Sequence, residues 1–106
     1  MNRRYRVIET SLAFDDYIKI IEHIGQWTDD WPLAVRTVEM IREYIKGMRD
    51  TPHRGTRRDD LRPGLRIVPF RKRTAIAFEI DETERTVMIL RVFYGGQDYE
   101  AVMRDG

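Results

Sequence analysis

The run TVMILRVFY, residues 86–94, is apolar on both faces that a β-strand presents: Met88, Leu90 and Val92 alternate with Val87, Ile89, Arg91 and Phe93. Such a strand cannot lie on a surface, because either side turned to water would expose a row of large side chains. It requires a central place in a sheet with a cover on each side. Strands at about 65–70 and 74–80 precede it. The links Arg71-Lys72-Arg73 and Asp81–Arg85 are too short for a crossover, so successive strands pair antiparallel. In the middle strand Ile76, Phe78 and Ile80 share one face, and Ala75, Ala77 and Glu79 share the other.

The first cover is written upstream. Thr10 or Ser11 can cap a helix whose first turn holds Asp15 and Asp16, and Phe14, Tyr17, Ile18, Ile21 and Ile24 form an apolar stripe to about Trp27. Asp29 or Asp30, followed by Pro32, starts a second helix running to about Arg49. Its seam is Ala34, Val38, Ile41, Ile45 and Met48. Pro52 and Gly55 end it, and Pro63 and Gly64 mark the turn into the sheet. Residues 4–9, RYRVIE, alternate well enough for an edge strand. The expected fold is α+β: an N-terminal strand, a two-helix hairpin, three antiparallel strands completing a four-stranded sheet, and room for a short C-terminal helix. A length of 106 residues with 42% hydrophobic composition suits a single domain over 1–106.

The second cover is less determined. If Leu65, Ile67, Ile76, Phe78, Ile80, Met88, Leu90 and Val92 face the helices, then Arg66, Val68, Phe70, Glu79, Ile89, Arg91 and Phe93 face away. That away face mixes apolar side chains with arginine, a composition typical of the energetic centre of an interface. Either the C-terminal QDYEAVM segment or a separate chain could close it, and an internal ion pair of Glu79 with Arg66 or Arg91 is the alternative to a partner contact.

Charge is segregated along the chain. The net charge is only +1, but residues 49–73 hold nine basic and three acidic residues, and 16 of the 19 basic residues are arginine. Arginine's planar fork of donors binds carboxylate or phosphate at two points, which favours recognition over bulk solubility. Several features carry little chemistry. Asp59-Asp60 lacks a third metal ligand, and Gly95-Gly96 is followed by neither lysine nor serine, as a phosphate loop requires. With no cysteine there is no thiolate site, and neither a metal nor a cofactor is expected. His23 reads as a surface residue of the first helix, His53 as a loop residue, and Trp27 and Trp31 as staples of the helix turn. MNRRYRVIETS has no apolar run behind its basic start, so neither a signal peptide nor a membrane anchor is expected, and the cytoplasm is the expected location.

The order strand, two helices, three strands meets specific text in TPHRGTRRDDLRPGLRIVPFRKRTAIAFEID and TVMILRVFYGGQDYE. This resembles the RelE/ParE superfamily of toxins from type II toxin–antitoxin systems, and more closely its ParE branch. The likeness rests on Pro52 and Gly55, on Leu61, Arg62, Gly64 and Arg66, on Ile76 and Phe78, and on Ile89 to Phe93. One departure is Tyr94, where many ParE relatives have histidine. The resemblance implies a growth-inhibiting toxin, neutralised by a cognate ParD-like antitoxin in a hetero-oligomer, that poisons DNA gyrase and has no small-molecule substrate. RelE-type relatives instead cleave messenger RNA in the ribosome, and that alternative stays open, as does a detoxified relative kept as a binding module. RNA cleavage needs a base, an acid and cations around the phosphate. Arg66, Arg71, Arg73 and Arg91 could supply cations, and Tyr94 and Glu79 could move protons, whereas neither histidine follows the last strand. For the gyrase reading the expected contact residues are Arg66 and Arg91 on the sheet face, Arg71 and Arg73 at the strand connection, and Phe93, Tyr94 and Tyr99 as apolar contacts.

Overall fold

A computed structural model describes residues 4–105. The first three residues of the basic N-terminal start lie outside the described residues. The elements are β1 (Arg6–Glu9), α1 (Ser11–Thr28), α2 (Trp31–Lys46) extended by a 3₁₀ turn (Gly47–Arg49), β2 (Thr56–Arg57), β3 (Arg66–Phe70), β4 (Thr74–Asp81), β5 (Thr86–Tyr94) and α3 (Tyr99–Asp105). The sheet has five strands in the order β1-β5-β4-β3-β2. The fifth is the two-residue β2, which no local pattern announces; it pairs antiparallel with β3. β1 lies parallel to the first half of β5, and β3, β4 and β5 are antiparallel in turn.

Local chemistry sets the helix ends. The Thr10 hydroxyl accepts from Ala13 N–H at 3.3 Å and donates to the Ile89 carbonyl at 2.7 Å, so it both caps α1 and ties it to β5. Asp30 accepts from Leu33 N–H at 2.9 Å at the start of α2, with Pro32 in the first turn. The hairpin is stapled by Trp31 alone: a Cβ on Gly25 would meet its ring at 2.3 Å, whereas Trp27 is 79% exposed.

A helix-side core joins Ala13, Tyr17, Ile20 and Ile24 of α1 and Ala34, Val38, Ile41 and Ile45 of α2 to Val68, Ile76, Phe78, Val87, Ile89 and Val92 of the sheet. The α1 stripe is therefore rotated from the expected one, for Phe14 and Ile18 are exposed. A second core on the opposite face contains Leu61, Leu65, Ile67, Ala77, Phe93 and Met103, with Leu90, Tyr99 and Val102 packed against it. α3 and the loop before β3 thus seal the face expected to await another chain.

Two face assignments change with this. In β3, Val68 and Phe70 join the helix side and Leu65 and Ile67 the other, the reverse of the expectation, which also carries Arg66 to the helix side by alternation. In β5, Ala77 pairs with Arg91 but the next residue, Phe78, pairs with Ile89, so Leu90 is an extra residue. This bulge reverses the alternation midway. Ile89 and Val92 both reach the helix-side core, while Leu90 packs on the second and Met88 is 38% exposed.

Glu9 ends β1 in a polar knot. It accepts two hydrogen bonds from Arg42, each 2.9 Å, and one from the Tyr17 hydroxyl at 2.6 Å. Burial alone would push the Glu9 carboxyl upward, but the bonds from Arg42 and Tyr17 and the charges of Arg42 and Lys46 outweigh it and hold the group below its ordinary 4.5. An acid held down in the folded state stabilises the fold above its ordinary value, and that contribution fades as pH falls through the lowered value. Stability of the wild-type protein should therefore decline below pH 4.5 more steeply than that of Glu9→Gln, with urea midpoints measured across the acid range as the check. Equal slopes would remove Glu9 from the acid response.

Candidate functional site

The β3–β4 connection, the end of β5 and the first residues after it meet at one end of the sheet. Thr74 pairs with Tyr94, and the Gly95 N–H donates to the Arg73 carbonyl at 2.9 Å. Arg71, Lys72 and Arg73 form the tip of the hairpin and are exposed. Arg71 has φ 56°, a left-handed conformation that glycine or asparagine adopts with less strain. Its guanidinium lies 5.4 Å from the Phe70 ring.

Among the described residues no carboxylate pairs with any of these three cations, in contrast to three of the six arginines of the basic run upstream. Arg57 pairs with Asp59, Arg58 with Asp60 and Glu100, and Arg49 with Asp50. Arg54 donates to the Tyr44 carbonyl and to Thr51, and lies 4.5 Å from the Tyr44 ring. Arg66 likewise donates to a carbonyl and Arg62 is exposed without a carboxylate partner among the described residues, so the tip is distinguished by three such cations standing in a row.

Two clefts flank the tip. One of about 330 Å³ is lined by Thr37, Met40 and Ile41 of α2 with Phe70, Thr74 and Tyr94. The other, about 240 Å³, lies among Pro69, Ala75, Phe93, Gly96, Gln97 and Tyr99. Tyr94 borders both. Leu33, Thr37 and Met40 are spaced so as to share a face of α2, and both apolar members are exposed, so an apolar strip leads along the helix to the first cleft.

Of the residues expected from sequence, Arg71, Arg73 and Tyr94 come together here, with Tyr99 half-buried at the border. The other three are engaged within the chain. Arg66 donates to the Arg54 carbonyl at 3.0 Å. Arg91 emerges beside Phe93, 5.3 Å from its ring, and makes two hydrogen bonds to Asp16 of α1 at 2.9 and 3.0 Å, which raises its already high pKa. Phe93 is 2% exposed.

Asp16 also accepts the Val92 N–H at 2.8 Å. β1 is too short to pair with the second half of β5, and this carboxylate stands in for the missing strand. Sequence reasoning took Asp16 for a helix-dipole residue and missed this role. It also missed His23, whose ring lies 6.1 Å from that of Tyr94. The second histidine is remote from the tip, bonded to Glu82 at 2.9 Å beside Tyr5. Among the described residues no three His, Cys, Asp or Glu side chains gather as a metal site, and no helix is long and apolar enough to cross a membrane.

Residues 7–99 match the family described as the ParE toxin of the type II toxin–antitoxin system parDE. The chain belongs to the ParE toxin family. Among solved structures, this ParE-family chain is similar to one from the chromosomal ParDE system of Pseudomonas aeruginosa, with TM-score 0.73 and 21% identity, covering 88% of this chain and 98% of that one. A chain of the RelBE2 toxin–antitoxin complex of Mycobacterium tuberculosis follows at TM-score 0.64 and 23% identity, covering 87% and 99%. An arginine-substituted mutant of Escherichia coli RelE in the free state gives TM-score 0.63 at 9% identity, covering 96% and 95%. At these identities the structures share the fold, which is the RelE/ParE one. No curated protein sequence matches.

Proposed function

We propose that this ParE-family toxin inhibits DNA gyrase by binding it through the Arg71–Arg73 tip and the two clefts beside Tyr94, and that a ParD-like antitoxin neutralises it by covering the same surface. The observation that carries the reading is the tip itself: three exposed cations without a carboxylate partner, the first in a strained conformation, beside apolar clefts. Asp29 and Arg85 adopt the same left-handed conformation at other turns, so the strain at Arg71 supports the reading only together with the charge beside it. Charge without an internal partner steers an acidic surface toward the site, and the Leu33–Met40 strip supplies apolar area for an amphipathic segment of the antitoxin. RNA cleavage is less well served. Glu79 lies five residues along β4 from Thr74, the partner of Tyr94, so the proposed proton carriers stand about 16 Å apart by strand rise, too far to act on one phosphate.

The test pairs wild type with the Arg71→Glu/Lys72→Glu/Arg73→Glu variant, each expressed without antitoxin. Wild type should cause filamentation, and the purified protein should block supercoiling by purified gyrase. The variant should be at least about tenfold weaker in the gyrase assay while unfolding at the wild-type urea concentration. Rapid arrest of translation with freshly cut transcripts, and supercoiling left intact, would overturn the proposal in favour of the nuclease alternative.

A further inference from the structure

Lys19, His23 and Trp27 are spaced four residues apart on α1 and form one stripe that runs past the end of β5. Lys19 and His23 line a cleft of about 290 Å³ closed on the other side by Tyr94, Gly95 and Gln97. The His23 ring has two aromatic neighbours, with Tyr94 and Trp27 each 6.1 Å away centroid to centroid. Trp27 is 79% exposed, so burial does not account for an indole at this position.

The chemistry of the lining is one-sided. Asp16, its one acid, is already occupied by two bonds from Arg91 and one from the Val92 N–H. The Gln97 amide oxygen accepts the Tyr94 N–H at 2.9 Å, which leaves its –NH₂ as the uncommitted end. Lys19 and His23 form no ion pair with Asp15, Glu22 or any other described carboxylate. The residues lining the cleft therefore carry an ammonium, an imidazole, a phenol and an amide that can donate, with no acceptor of full charge left unpaired to repel an anion.

We propose that this cleft binds the phosphate group of a nucleotide, through Lys19, His23, Tyr94 and Gln97, with the base stacked on Trp27. A phosphate has enough acceptor oxygens for donors converging from α1 and from the β5 end, and a flat base has reason to meet an indole left in water one helical turn from the imidazole. A free nucleoside phosphate and the phosphate of a nucleic-acid strand present the same chemistry. The site is separate from the Arg71–Arg73 tip, touching it only through Tyr94 and the loop after it, and does not depend on the gyrase reading.

The test follows the His23 imidazole and the two indole signals by NMR during titration with AMP, adenosine, inorganic phosphate and a short 5′-phosphorylated oligo-dT. AMP or the oligonucleotide should shift His23 and Trp27 together and saturably, inorganic phosphate should move His23 alone, and adenosine should bind at least about tenfold more weakly than AMP. Saturation by AMP identifies a free nucleotide as sufficient, and saturation by the oligonucleotide alone identifies a strand; each supports the site. Trp27→Ala should weaken binding about 5- to 100-fold and Lys19→Ala about 5- to 10-fold, both positions being exposed and the fold unaffected. Adenosine binding as well as AMP, affinity unchanged in both variants, or no saturable shift with any probe up to about 10 mM would each overturn the proposal.

Discussion

Alanine in place of Asp16 is expected to lower the unfolding free energy by about 3–5 kcal/mol, the usual cost of removing one partner from a buried ion pair. The Asp16 side chain is 5% exposed and that of Arg91 21%, so the deletion strands a largely buried guanidinium. It also leaves the Val92 N–H without an acceptor at the part of the β5 edge that β1 does not reach. Asp16→Asn keeps an oxygen for that N–H but loses the charge, and should fall between alanine and wild type. The double variant Asp16→Ala/Arg91→Ala should cost clearly less than the sum of its singles, since removing both charges leaves neither uncompensated. Urea unfolding gives the free energies, and amide exchange at Val92 reports the local effect, its protection dropping in Asp16→Ala. A loss below about 1 kcal/mol would reduce the pair to the status of a surface ion pair. The consequence reaches the candidate site, because this lock fixes the segment of β5 that ends in Tyr94.

The elements were legible wherever their signals are local. Thr10 and Asp30 cap the two helices, Pro32 enters the first turn of α2, and the seam Ala34, Val38, Ile41, Ile45, Met48 is buried throughout. β3, β4 and β5 fall within about a residue of their expected bounds because short links and apolar runs delimit them. What failed was the assignment of faces. A strand apolar on both sides carries no mark of where its alternation breaks, and the extra residue Leu90 becomes visible only when β5 is laid against β4. β3 is apolar at three consecutive positions, Ile67, Val68 and Pro69, so its phase was equally open. On α1, the 3.6-residue period admitted a stripe with Phe14 and Ile18, but the structure buries Ala13, Asp16 and Ile20, the carboxylate being admitted by an arginine 75 residues away. The candidate site divides along the same line. Arg71 and Arg73 stand on a turn that the sequence marks plainly, whereas the proximity of His23 to Tyr94 depends on how α1 crosses the end of β5.

Phe93→Ala is the variant that decides whether the second sheet face belongs to the fold or to a partner, and it is expected to cost about 3–5 kcal/mol. Sequence reasoning placed Phe93 among contact residues, but in the structure its ring lies 6.0 Å from that of Tyr99 and under α3, in a core with Leu65, Ile67, Ala77 and Met103. The Arg58–Glu100 contact at 2.6 Å also joins α3 to the loop before β3, but both groups are near solvent and the apolar contacts dominate. Met103→Asp probes the same seat from the other side. Met103 is 4% exposed, and a carboxylate there would either be buried without a partner or drive α3 off the sheet, so a loss of similar size is expected. Urea midpoints for the two variants together carry the decision. Large losses in both mean that α3 is a working part of the core and that a partner reaches this face only by displacing it. Losses under about 1 kcal/mol in both would mean that α3 is not seated there, and the apolar sheet face beneath it would return as the docking surface in place of the hairpin tip.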